Sequence, residues 1–186
     1  MTLRELVEGY VPLCEQEQAD RQAMLLAMDT FGDVLTRANT VCHFTASSWI
    51  TDRTHTHILM AWHNVYRAWS WTGGHADGDE DLRAVALREA REESVLKTLR
   101  LLREAPVSLE MLTVHNHIKR GRFVSSHLHM NMTWLLEADE REPLTVKPDE
   151  NSGLKWMLPE EAAASPEAEM VPIYTKLNER LFSAEF

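Results

Sequence analysis

The chain has two cysteines in 186 residues, Cys14 and Cys42. They form no metal-ligand pattern and are too few for a disulfide framework. That scarcity fits a reducing compartment, where free Cys acts mostly as a small buried hydrophobe. No apolar run approaches the roughly 20 residues of a membrane-spanning helix. The opening MTLRELVEGYVPLCEQ lacks the basic and apolar regions of a signal peptide, so the cytoplasm is the expected location. Positive charge is also short, with 19 Lys and Arg against 29 Asp and Glu and a net charge of -10. Such a balance argues against a nonspecific grip on nucleic acid or an anionic membrane. It still allows a locally basic pocket for a small phosphorylated ligand. There is no Walker loop, no Gly-x-Ser-x-Gly elbow, no repeat and no low-complexity segment.

What is present reads as an α+β domain. Hydrophobic residues at 44% and charged ones at 26% are ordinary for a globular protein. A helical pattern runs from Thr2 to about Phe31, with a break at Pro12. HFTASSWIT, from His43 to Thr51, reads as a strand. His55 to Trp71 reads as one long strand, or as two joined by a turn near Asn64. VSLEMLTVHNHIK and FVSSHLHMNMTWLLEA are further strands, separated by the turn RGR. LKWML is a short strand, Pro159 opens a helical turn, and Pro166 to Phe182 reads as a closing helix. Strands mixed with helices, without regular βαβ alternation, predict an α+β sandwich.

The informative segment is GGHADGDEDLRAVALREAREESVL, Gly73 to Leu96. Asp79 reads as the helix N-cap, with Glu80 and Asp81 in the first turn. Advancing about 100° per residue from Leu82 puts Val85, Ala86 and Leu96 on one stripe, and Glu89, Glu92 and Glu93 on that same stripe. Carboxylates that face an interior repel one another and are costly to desolvate. A divalent cation removes both objections, and oxygen ligands suit Mg²⁺ or Mn²⁺. The plain alternative is a solvated charged face. The glycines before the helix also let backbone approach a phosphate or a metal closely.

The segment resembles the signature of the Nudix hydrolases, which cleave nucleoside diphosphates linked to another moiety. Gly74, Glu80, Arg88, Glu89, Ala90, Glu92, Glu93 and Leu96 stand at the signature spacings, and Val95 replaces its glycine. The resemblance implies an α/β/α sandwich with a mixed sheet over residues 41–186, after an N-terminal helical extension over residues 1–40. It implies Glu89, Glu92 and Glu93 as metal ligands, joined by the Gly73 carbonyl, with Arg88 holding a signature glutamate. The bound Mg²⁺ (or Mn²⁺) would neutralise charge while a water attacks phosphorus. A distal acid is expected at Glu150, or failing that at Glu137. Val95 should disturb the helix end, since β-branched residues avoid the left-handed conformation that glycine allows, so the helix should run on or leave by another turn.

Further candidates lie outside the signature. His127 and His129 sit on the polar face of a strand and read either as substrate contacts or as structural histidines. As an HxH pair they could also bind zinc, with His115 and His117 of the preceding strand as further donors. Lys119 and Arg122, in KRGR, form a small basic cluster suited to phosphate. Trp71 stands where a base could stack, and core packing explains such a residue too. The leading expectation is a Mg²⁺-dependent pyrophosphohydrolase of a small-molecule diphosphate, with homodimerisation open. The alternative is a nucleotide-binding or regulatory module of the same fold with weak catalysis.

Overall fold

The computed structural model describes residues 1–64, 67–119, 121–146 and 151–183. In chain order the elements are α1 (Leu3–Gly9), α2 (Glu15–Thr30), β1 (Cys42–Asp52), β2 (Ile58–His63), β3 (Ala68–Ser70), β4 (Thr72–His75), α3 (Leu82–Ser94), β5 (Arg100–Leu101), β6 (Ser108–Val114), β7 (His117–Lys119), β8 (Arg122–Val124), β9 (His127–Ala138), β10 (Asn151–Met157), α4 (Pro159–Ala163) and α5 (Met170–Ser183).

β1 is the organising strand, buried along its whole length. A strand covered on both faces sits at the centre of a sheet with helices above and below. It runs parallel to β9 from Cys42 opposite Leu128 to Asp52 opposite Ala138. Its other edge is shared: β4 pairs antiparallel with residues 45–48, and β2 with residues 50–51. β10 extends the sheet beyond β2, while β5 and β6 flank β9. β7 and β8 form a separate hairpin.

The pleat divides the side chains between two helical layers. Phe44 and Ala46 of β1, with Met130, Met132 and Trp134 of β9, pack under Leu82, Val85 and Ala86 of α3. Trp49 and Leu135 point the other way and pack with Tyr174, Leu177 and Leu181 of α5. The mixed α/β/α sandwich follows from that division. The helical pattern at the start resolves into α1 and α2, whose Leu3, Val7, Met24 and Ala27 join the α3-side core. Glu17 of α2, fully buried, meets Arg180 of α5 through two contacts of 2.5 and 2.9 Å. Burial pushes the Glu17 carboxyl up. The Arg180 guanidinium, the Leu13 amide and the Tyr10 hydroxyl outweigh that and hold it down at about 2.

Several sequence expectations need correction. The predicted strand ending at Lys119 breaks at His115 and Asn116, giving β6 and β7, and the next breaks before His127, giving β8 and β9. The N-cap of α3 is Asp81, whose side chain accepts from the Ala84 amide at 3.0 Å, and Asp79 and Glu80 precede the helix. Val95 does not prolong the helix. It takes the left-handed conformation itself, at φ 58° and ψ 14°, and its amide donates to the Arg91 carbonyl at 2.9 Å. The chain therefore turns as it would at glycine, with a β-branched residue held in a disfavoured region.

Candidate active site

β4 brings two glycines against α3, and the fit is steric. A Cβ on Gly73 would lie 2.6 Å from the Ser47 hydroxyl oxygen and 2.7 Å from the Ala46 carbonyl oxygen. A Cβ on Gly74 would lie 2.5 Å from the Glu89 carboxyl carbon. Glycine is thus required where β4 is pressed between β1 and the acids of the helix. The Gly73 amide donates to Glu93 Oε1 at 3.0 Å rather than to β1. In an antiparallel pair such a residue turns both amide and carbonyl outward, so the Gly73 carbonyl shares the edge that Glu93 occupies.

Glu89 and Glu93, one helical turn apart, therefore address adjacent residues of one strand. Arg88 Nη2 lies 3.3 Å from Glu89 Oε1, and its Nη1 lies 3.4 Å from Asp79 Oδ2. Asn151, at the start of β10, donates its amide NH₂ to Glu93 Oε2. Glu92 departs from the expected stripe. The buried positions of α3 are Leu82, Val85, Ala86, Ala90 and Ser94, while Glu89 and Glu93 are half-buried and Glu92 is exposed. The helix crosses the sheet with its Ala90 side down, which rolls Glu92 toward solvent and leaves the other two at the rim.

Of these acids Glu93 borders a cleft of about 820 Å³ on the α5 side of the sheet, lined also by Trp71, Asn151 and Lys119. Trp71 is half-buried, edge-on to Tyr174 with ring centroids 5.3 Å apart. Lys119 reaches the cleft from the β7–β8 hairpin, whereas Arg122 is exposed and is not among the residues lining it. Glu137 is also elsewhere, at the far end of β9, where Arg100 Nε donates to it at 2.8 Å and His55 Nε2 lies 3.3 Å away. Glu150 lies outside the described residues. The floor of the cleft holds a polar residue that sequence reasoning passed over. Asn131 Oδ1 accepts from Thr45 at 3.0 Å and Ser47 at 2.8 Å, and its NH₂ reaches Glu110 at 3.2 Å and Thr133 at 3.0 Å.

The HxH pair does line the cleft, but not with the partners expected. His115 is exposed, and His117 is turned so that its Nδ1 donates to the His115 carbonyl. Instead the β1–β9 register sets His129 beside His43, and the β1–β4 register sets His75 opposite Thr45, two residues from His43. His43, His75 and His129 each offer a nitrogen within 4.8 Å of the others. Burial lowers the pKa of His43. Burial, and then the Arg37 charge, brings His75 down to about 3. Burial, and then His75 itself, brings His129 down to about 2. All three are neutral imidazoles at ordinary pH. His75 was visible inside the glycine-rich loop, but no sequence spacing announces a cluster assembled by two strand registers.

A NUDIX domain family model matches residues 43–180, well over half of the chain. The chain belongs to the Nudix family. Its members of this type are hydrolases acting on acid anhydrides, and the enzyme is one of them. Solved structures share the Nudix fold at low identity. A C. elegans Ap4A hydrolase in a binary complex has 20% identity and a TM-score of 0.57, covering 76% of this chain and 98% of its own. A Clostridium perfringens hydrolase of the NUDIX family has 19% identity and a TM-score of 0.56, with 75% and 97% covered. An E. coli dihydroneopterin triphosphate pyrophosphohydrolase has 16% identity and a TM-score of 0.56, with 76% and 96% covered. No curated protein sequence matches. As a Nudix domain the chain carries α1 and α2 ahead of the matched region, packed into its core. No helix among the described residues is long and apolar enough to cross a membrane.

Proposed function

We propose that this Nudix enzyme hydrolyses a pyrophosphate bond in a small nucleoside diphosphate derivative, using Mg²⁺ or Mn²⁺ in the cytoplasm. The observation that carries the reading is the apposition of Glu89 and Glu93 to Gly74 and Gly73 at the edge of the cleft. Two carboxylates and an outward backbone carbonyl are hard oxygen donors of the kind Mg²⁺ selects. Glu92, exposed on α3 one residue before Glu93, would be the third donor. Among the described residues no three carboxylates already converge. Like charges without a cation separate toward the nearest hydrogen-bond donors, as Glu89 does toward Arg88 and Glu93 toward Gly73 and Asn151. The donor set therefore fits the ion.

When bound, the cation supplies Lewis acidity toward a phosphoryl oxygen and lowers the pKa of a coordinated water. The chain's own residues do the positioning. Arg88 fixes Glu89 through a charge-assisted contact, and the Gly73 amide with Asn151 fixes Glu93. Lys119 and Arg37, both on the cleft wall, offer positive charge to phosphate oxygens. Trp71 presents a partly open ring to a base, and His127 and His129 also line the cleft. Arg122 would meet only a substrate that extends past the hairpin. Glu150 stays the proposed distal acid, next in sequence to the Asn151 that touches Glu93. Whether two chains pair is read by light scattering.

The reading is tested by following phosphate released by an added phosphatase, with Mg²⁺ and a panel of nucleoside diphosphate derivatives, for wild type and folded E92Q and E93Q. Turnover that falls at least about 100-fold in E93Q supports it. Tight Mg²⁺-dependent nucleotide binding with no turnover would favour the binding-module alternative. Val95 gives that alternative little support, because α3 still ends in the turn the signature glycine makes.

A further inference from the structure

We propose that His43, His75 and His129 form a second metal site, selective for a borderline-soft divalent ion such as Zn²⁺, with His127 as a fourth donor. The site lies at one end of the cleft and shares no ligand with the glutamates.

Geometry and hydrogen bonding both support it. Three nitrogens within 4.8 Å of one another need only modest side-chain rotation to reach a common ion, since two nitrogens on tetrahedral zinc lie about 3.4 Å apart. His127 Nε2 already stands 3.3 Å from His129 Nε2. The four rings crowd together, with centroids of 5.0 Å for His43–His127, 5.0 Å for His43–His129 and 4.9 Å for His75–His129. The second observation is an unsatisfied nitrogen. His43 is 3% exposed, its Nδ1 lies 3.0 Å from the Asn39 carbonyl, and its Nε2 has no hydrogen-bond partner among the described residues. A carbonyl only accepts, so Nδ1 carries the proton and Nε2 presents a bare lone pair into the cluster. A buried acceptor left unpaired has a cost, and a merely structural histidine would be expected to have a partner there.

His127 repeats the arrangement, its Nδ1 donating to the Ser125 carbonyl at 2.9 Å and its Nε2 turned inward. This is the outer-shell contact that orients a metal-binding imidazole. Without an ion, the His129 Nε2 proton is shared with His127. With one, His129 carries its proton on Nδ1 and both Nε2 lone pairs face the metal. Imidazole donors favour zinc and its neighbours over Mg²⁺, which takes oxygen. The cleft is the entry path. The ion would join the starts of β1 and β9 to the end of β4, the strand that carries Gly73 and Gly74.

The test uses full-length protein stripped with a chelator and titrated with Zn²⁺, in parallel with H43Q, H129Q and E93Q. Expected are one equivalent bound at sub-micromolar Kd, a rise in Tm of roughly 5–10 °C at a hundredfold excess over Kd, and a loss of affinity of at least about 100-fold in each histidine variant but not in E93Q. Where a histidine variant fails to fold, Co²⁺ added to wild type decides, since four-coordinate nitrogen ligation gives strong visible bands and octahedral oxygen ligation weak ones. Binding weaker than about 10 µM, binding that survives both histidine variants, binding lost in E93Q, or weak octahedral bands would each overturn the proposal.

Discussion

Three residues have consequences that can be measured singly. Val95 sits at φ 58° with its side chain half exposed, so replacing it removes strain and little burial. V95G should raise unfolding free energy by about 1 kcal/mol, the relief of left-handed strain less the extra entropy of glycine in the unfolded chain. Urea denaturation measures it, and a lower midpoint would mean that Val95 is not strained. Gly74 makes the opposite case. A methyl group 2.5 Å from the Glu89 carboxyl carbon has to displace that side chain, and G74A should lower turnover more than tenfold with little change in melting temperature. Gly73 is pinned on backbone as well, so G73A should be the more destabilising of the two. Thermal melts of both proteins rank them. Such contacts are invisible in sequence. The signature spacing identifies Gly74, but only the structure shows that Glu89 fills the space where a side chain would stand.

Elements were legible where periodicity was strong and illegible where tertiary contacts decided. The central strands, α3 and α5 follow their patterns because one face of each is apolar. The roll of α3 was missed for a physical reason. Glu92 lies at the edge of the Leu82 stripe, about 80° round the wheel from Leu82 against about 20° for Glu89, and the packing of Ala90 on the sheet turns that edge outward. The join of α2 to α5 was missed as well, since no local pattern links Glu17 to Arg180 across 163 residues. That pair gives a prediction at its own scale. Removing one partner of a buried ion pair strands the other, so E17Q should destabilise by about 3 kcal/mol. The folded carboxyl titrates near 2 against 4.5 for a free one, so its contribution is complete above about pH 4.5 and is lost as pH falls toward 2. Urea midpoints measured from pH 5 to pH 2 should fall less steeply in E17Q than in wild type.

At the scale of the molecule, α1 and α2 serve stability and leave the cleft to the other elements. The α3 side of the sheet is closed by α1, α2 and α3, and no residue of α1 or α2 lines the cleft on the opposite side. The acidic surface and the cleft's few cations suit a small anionic substrate better than a polymer, whose binding needs many phosphate contacts. The signature made the reaction class readable, because a metal-binding helix needs its acids at fixed spacings. The rest of the cleft was not readable, because its walls come from β1, β4, β9, β10 and the hairpin, brought together only by folding. The measurement that bears most directly on the account is the Mg²⁺-dependent rate of pyrophosphate cleavage by wild type, E93Q and E137Q, each confirmed folded by circular dichroism. The account predicts a rate at least about 100-fold lower in E93Q and little changed in E137Q, whose carboxylate lies at the far end of β9. Wild-type rates in E93Q, or a collapse confined to E137Q, would contradict it.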